Sequence, residues 1–400
     1  MIMKIIIRMN IKILIFFVFI GSAQVASSDT ILIPEHYSTI SEGIAAASEG
    51  DTVLVSPGTY NEQIDFMGKN ITVASLYMMT HNPTYIKETI ITHTNFILVG
   101  FSGGETRSAT LNGFTLNGHV AIFCNNSSPT LKNLNISDGR ANFLGAGLLC
   151  EDSSNPLIIN CTFTNNELVE PTVHGGAIFA EGNSHPVLVN SIVWNNTHPQ
   201  ISLGYRDLRE PGSITIAYSN IEGGEHAIEI NDGSIYWLDG NIDADPLFKD
   251  PQSQIYTLQD GSPCIDSGTA SLIMDNDTLV ALDTTQYRGT SPNMGAFQYE
   301  IPTNVKDQVG QVPDLYMLFQ NYPNPFNPST SIRYNIPERN HVLLTVYNTL
   351  GQEVAKLIDQ EIEPGTHEIT FDASHLPSGV YIYRLQAGEY VESRKLLLLK

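Results

Sequence analysis

The chain of 400 residues carries 42 acidic and 20 basic side chains, for a net charge of −22. So acidic a surface excludes nucleic acid as a partner, because a phosphate backbone requires clustered Lys and Arg. Only 16% of the residues are charged, while Asn, Ser, Thr and Gly abound, which suits a solenoid of short strands and turns better than a helical enzyme with charged outer faces.

Residues 1–23 read as a cleaved signal peptide. Lys4, Arg8 and Lys12 form a basic region, Ile13 to Ile20 an apolar one, and Gly21-Ser22-Ala23 a small-residue cleavage site. A membrane anchor needs about 20 apolar residues, and only Ile13 to Ile20 run uninterrupted here. Later stretches are too short to cross a bilayer, so the mature chain is expected to have no transmembrane span.

A repeat sets the architecture beyond this point. Gly113-Phe114-Thr115-Leu116, Asn133-Leu134-Asn135-Ile136, Asn160-Cys161-Thr162-Phe163, Asn190-Ser191-Ile192-Val193 and Tyr218-Ser219-Asn220-Ile221 begin 20, 27, 30 and 28 residues apart. In each run the second and fourth residues face one side, the pattern of a half-buried strand. Polar turns follow, such as Asn117-Gly118 and Asn195-Asn196. A second ladder comprises Val120 to Cys124, Ala146 to Cys150 and Gly176 to Ala180, and a third begins after Pro129, Pro156 and Pro186. Two or three strands per 20 to 30 residues describe coils that each cover the hydrophobic face of the next. Insertions are expected around Leu168 to Thr172 and Gln200 to Gly212.

Over roughly residues 30–300 the chain resembles the right-handed parallel β-helix family of pectate lyases, polygalacturonases and many secreted proteins. The resemblance rests on Tyr37-Ser38-Thr39-Ile40, Gly50 to Val55 and Pro57 to Glu62 at the start. There a short helix, here Ile40 to Ser48, caps the open end. Leu111 to Gly118 and the closing motifs Asp245 to Phe248, Gly261 to Gly268 and Asn293 to Phe297 extend it. What it implies is a fold more than an activity. The paired aspartates with a following Gly-His-Gly of polygalacturonases are missing, as are the Gln-Asp and Asp-Phe-Ile-Phe-Gly motifs of pectin methylesterases.

Residues 301–314 read as a polar linker. Beyond it, Pro323, Pro325 and Pro328 mark an extended, turn-rich lead-in, and strands are expected at Ser331 to Ile336, Val342 to Tyr347, Thr366 to Phe371 and Val380 to Ala387. This is a small antiparallel sandwich. Gln320 to Pro328, Val346 to Val354, Leu376 to Tyr381 and Lys395 to Lys400 closely resemble the C-terminal sorting domain of type IX secretion substrates. That resemblance implies contact with the type IX secretion machinery through residues 315–400, and a protein that is secreted or attached to the outer-membrane surface. The reading is thus all-β: a signal peptide (1–23), a right-handed parallel β-helix passenger (24–300), a linker (301–314) and a small antiparallel β-sandwich for sorting (315–400). Residues 24–314 hold 33 acids against ten bases, and residues 315–400 nine against seven, so the acidity belongs to the passenger.

Several residues are candidates for chemistry. Glu151, Asp152 and Glu181 follow equivalent strands in successive coils, and stacked carboxylates there would hold Ca²⁺, which takes several oxygen ligands; the alternative is a solvated acidic edge. Arg206, in the long loop with Tyr205, would act as base or charge clamp on a sugar acid, with His174 beside it as a second catalytic candidate or an ordinary turn histidine. Trp194 follows an inward Val193 and so should face outwards, offering with Tyr205 a stacking platform for sugar. Asp275-Asn276-Asp277 lacks the glycine and glutamate of a calcium loop. Cys124 and Cys150 occupy equivalent places in adjacent coils, where stacked thiols are favoured over a disulfide. Two functions remain: a glycan-binding or adhesive surface module for extracellular polysaccharide, and a calcium-assisted polysaccharide lyase or hydrolase.

Overall fold

The computed structural model describes residues 28–298 and 316–398, apart from Phe143, residues 170–174 and 205–209, Asp232, Asp275, Thr285, Arg288, Gln320, residues 322–325, Glu389 and the side chains of Asn95 and Phe96. The expected signal peptide (1–23) and the expected linker (301–314) lie outside these residues.

The apolar positions of the repeat dictate the interior. Leu116, Ile136, Phe163, Val193 and Ile221 stand in register through successive parallel strands. Leu111, Leu131, Ile158, Leu188 and Ile216 do the same on another face, and Ile122, Leu148, Ile178 and Ile201 on the third. All are essentially inaccessible and belong to one continuous cluster. Burying each such side chain contributes about 1.5–3 kcal/mol, none of which a single coil could realise alone. The first face is a nine-stranded sheet running from Thr30–Ile33 to Ser234–Trp237. The other two merge into a 12-stranded sheet, because Thr115–Asn125 continues through the corner between them. Asn117-Gly118 therefore lies within a strand and not in the expected turn.

The first residue of each run is a corner and not a strand residue. Gly113, Asn133, Asn160, Asn190 and Tyr218 have φ of 85°, 52°, 53°, 52° and 48°, a left-handed conformation that Gly and Asn tolerate best. Corner backbone is satisfied by side chains of the next coil: the N–H of Ser127 donates to Ser154 Oγ and that of Ser154 to Ser184 Oγ. Cys161 and Ser191 donate in the same way to Ser191 and Ser219. Within the expected loop at Gln200 to Gly212, Ile201–Leu203 is a strand paired with Ile178–Ala180.

The helix Ile40–Ala46 closes the N-terminal end. Thr39 and Glu42 form a capping box, and Ile40 and Ile44 are buried on the first coil. After the last coil the chain runs back along the outside, forming two hairpins, Phe248–Asp250 with Ile255–Leu258 and Ser271–Met274 with Asp277–Ala281. Asp277 thus opens a hairpin strand, and Asn276 holds the turn with φ 67°.

The C-terminal domain pairs Met317–Leu318, Ser329–Ile336 and Gly365–Asp372 in one antiparallel sheet, and Glu353–Ile362, Asn340–Asn348, Gly379–Ala387 and Tyr390–Leu398 in the other. The two sheets enclose their own core. The four expected strands are present. Glu353–Ile362 and Tyr390–Leu398 are additional edge strands whose alternation is diluted by exposed charge.

Candidate functional site

The outer face of the first sheet changes character partway along its length. Thr72, Thr110 and Thr130 form one outward row in register, and Asn112 and Lys132 lie in the row beside it. In the next coils the same rows become Leu157, Val187 and Ile159, Val189. The hairpin Ser271–Ala281 covers that apolar half with Leu279 and Val280. The polar half forms a recess between the one-turn helix Tyr77–Thr80 and the stretch that follows the hairpin, in which Thr72, Thr110 and Lys132 are half-buried and Asn112 and Thr130 are buried.

A pocket of about 370 Å³ lies there. Tyr77, Met78 and His81 form one wall, Leu282 and Gln286 the other, and the Thr rows, Asn112 and Lys132 the floor. Asn133 donates from Nδ2 to Asn112 Oδ1 over 2.8 Å. The left-handed corner at Asn133 aims its amide along the floor in this way. Lys132 is half-buried, and burial holds its ammonium below the usual lysine pKa. Among the described residues no carboxylate lies within ion-pairing distance of it. Nor does any Asp or Glu line the pocket among those residues. A desolvated cation ringed by hydroxyls and amides suits a hydroxylated ligand bearing one negative group.

The residues singled out from sequence are placed elsewhere. Arg206, Tyr205 and His174 lie outside the described residues. Trp194 pairs in register with Thr164 and faces out of the coil, yet it is half-buried against the cluster containing Phe248, Tyr256 and Met294. The chain that returns along the outside of the coils packs against this face. Glu151 is half-buried, Asp152 is an exposed corner residue with φ 53°, and Glu181 is 6% exposed, with its backbone bridged to Pro211. Asn125 Nδ2 donates to the Asp152 carboxylate over 2.9 Å. Among the described residues no three His, Cys, Asp or Glu side chains converge to hold a metal ion. Glu151 ends the strand Leu148–Glu151, and Glu181 follows Ala180, the register partner of Cys150, in the next coil.

Cys124 and Cys150 are opposed in register, and all four cysteines are buried free thiols. Burial first, and then the neighbouring Cys150 thiol, push Cys124 well above its ordinary pKa. Burial raises Cys161 to about 12 and Cys264 to about 11. These shifts hold Cys124, Cys161 and Cys264 as thiols and not thiolate nucleophiles at neutral pH. His185 lies between the hydroxyls of Ser213 and Thr215, and burial lowers its pKa.

Comparison with known proteins agrees with this architecture. Residues 77–245 match the family described as "Right handed beta helix region", and residues 320–399 match "Secretion system C-terminal sorting domain". The chain is a right-handed parallel β-helix repeat protein with a C-terminal type IX secretion sorting domain. It is exported to the cell surface or the medium, and no helix among the described residues is long and apolar enough to cross a membrane. Two solved structures are remotely similar. A pectin methylesterase from carrot is 15% identical over 56% of this chain and 85% of its own, with a TM-score of 0.34. The enzymatically active domain of bacteriophage CBA120 tailspike protein 4 is 12% identical over 87% of this chain and 63% of its own, with a TM-score of 0.24. Likenesses this distant say nothing about what the chain acts on. No curated protein matches it in sequence.

Proposed function

We propose that the β-helix is a glycan-binding, adhesive module at the cell surface, and that extracellular polysaccharide enters the pocket over Lys132. The observation that carries this reading is the open polar half of the first sheet, where a half-buried ammonium lies among Thr, Asn and Gln side chains and away from carboxylates. Glycoside hydrolysis usually employs two flanking carboxyl groups, which the pocket lining lacks among the described residues. A lyase is the second reading: burial holds the Lys132 ammonium below its ordinary pKa, so it gives up its proton more readily than an exposed lysine and could act as a base on a uronate.

The test is retention of the purified protein on a panel of immobilised neutral and acidic polysaccharides, with unsaturated uronate absorbance followed alongside. The module reading predicts retention on acidic glycans without product, and at least a tenfold loss in Lys132→Ala, as expected when one charge-assisted contact of about 1.5–3 kcal/mol is removed. Product that disappears in Lys132→Ala would establish the lyase instead. Equal behaviour of wild type and Lys132→Ala would remove the pocket from the account.

A further inference from the structure

The sorting domain touches the β-helix through a small set of specific contacts. Arg394, in the last strand Tyr390–Leu398, has a side chain only 9% exposed. Its guanidinium is fully engaged: Nη2 pairs with Glu392 at 2.6 Å, Nε donates to the Leu318 carbonyl, and Nη1 pairs with Glu35 at 2.6 Å. The first two partners lie in the sorting domain, whereas Glu35 belongs to the turn after the first strand of the β-helix, Thr30–Ile33. A guanidinium this enclosed needs a partner for every edge, and one edge is satisfied only by the other domain.

A second contact lies beside it. Phe319, 8% exposed, stacks on Tyr85, 4% exposed, with ring centroids 6.4 Å apart and planes 20° from parallel. Arg333 of the sorting domain donates from Nη1 to the Tyr85 hydroxyl over 3.4 Å. Tyr85 belongs to the helix Thr84–Glu88, on the outside of the first coils, and joins Leu76, Tyr77 and Ile86 in one apolar cluster with Phe319. Leu318 and Phe319 connect the two contacts and directly precede the match to the sorting family at residues 320–399.

We infer that the sorting domain is latched onto the first coils of the β-helix by the Glu35–Arg394 ion pair and the Tyr85–Phe319 ring contact, so that cutting the linker does not by itself free the passenger. The latch masks Tyr85 and its apolar neighbours for as long as the domain is bound. Its release uncovers an aromatic surface on the passenger that continues through Tyr77 towards the Lys132 pocket.

The experiment uses the full chain with a protease site inserted between residues 301 and 314, cut in solution and passed over a sizing column. The two pieces of wild type are expected to co-elute at moderate salt, and those of Glu35→Lys, which places a cation against Arg394, to separate and bind an apolar dye. Separation of the wild-type pieces on cutting would overturn the inference, as would a cut Glu35→Lys protein that elutes like wild type. X-ray scattering from the uncut wild type supplies a reading that needs no variant. One compact particle is expected, and two bodies at variable separation would contradict the latch.

Discussion

Two residue types do most to decide this molecule, the left-handed corner asparagines and the lone lysine on the floor of the pocket. Asn190 has φ 52°, its Oδ1 accepts from the Thr269 N–H, and its Nδ2 donates to the Thr269 carbonyl, each over 2.8 Å. Asn190→Ala combines left-handed strain of about 1–2 kcal/mol with the loss of buried hydrogen bonds at about 1–3 kcal/mol. Denaturant melts should show it less stable by about 2–5 kcal/mol, with Asn190→Gly intermediate because glycine relieves only the strain. Lys132 acts in the opposite direction. Its folded pKa is lowered, so in the pH window just below the ordinary lysine value the unfolded chain binds more protons, and stability rises as pH climbs through that window. At neutral pH the burial penalty is present. Lys132→Met should therefore be at least as stable as wild type there, and its stability should lose this rise with pH. That outcome separates a ligand-binding lysine from a structural one, whose loss would destabilise. Lys132 also shows where sequence reading stops: it is a charge in an outward row otherwise made of Ala, Asn and aliphatic residues, a signal visible only once the register is known.

At the scale of elements, the repeat was legible because the inward pair of each run is buried in every coil, and a strict period of two leaves no other register. The corners were misread by one residue, since an Asn before an alternating run looks like its first member until its φ is known. The site was not legible at all. Its walls come from Tyr77 to His81 and Leu282 to Gln286 and its floor from Thr130 to Asn133, segments roughly 50 to 150 residues apart in the chain, and no local pattern joins them. The hairpin Ser271–Ala281 is what divides the first sheet into a covered half and an open half. Val280 is 1% exposed against Leu157, Ile159, Val187 and Val189. Val280→Asp places an unpaired carboxylate in that contact and should lift the hairpin. Faster amide hydrogen exchange across residues 271–281, with the coils beneath still protected, is the expected result; unchanged exchange would mean that the hairpin is held by other contacts.

Across the whole molecule, stability is shared along one continuous core with a capped first coil. Ile40 and Ile44 of the helix Ile40–Ala46 close an end that would otherwise present open strand edges and interior side chains to solvent. Ile44→Asp should therefore produce self-association as well as destabilisation, visible as a rise in light scattering on mild warming; a monomeric variant with an ordinary loss of stability would deny the cap this role. The acidity of the passenger keeps so extended a surface soluble, while the pocket over Lys132 offers one local exception to it. Whether that exception receives a ligand decides the role of the first sheet. The direct measurement is a crystal structure of the protein with an acidic oligosaccharide selected by retention. Sugar density is expected against Thr110, Thr130 and Asn112, with the acidic group on Lys132 Nζ. Well-defined sugar on another face, with the pocket empty, would contradict that expectation.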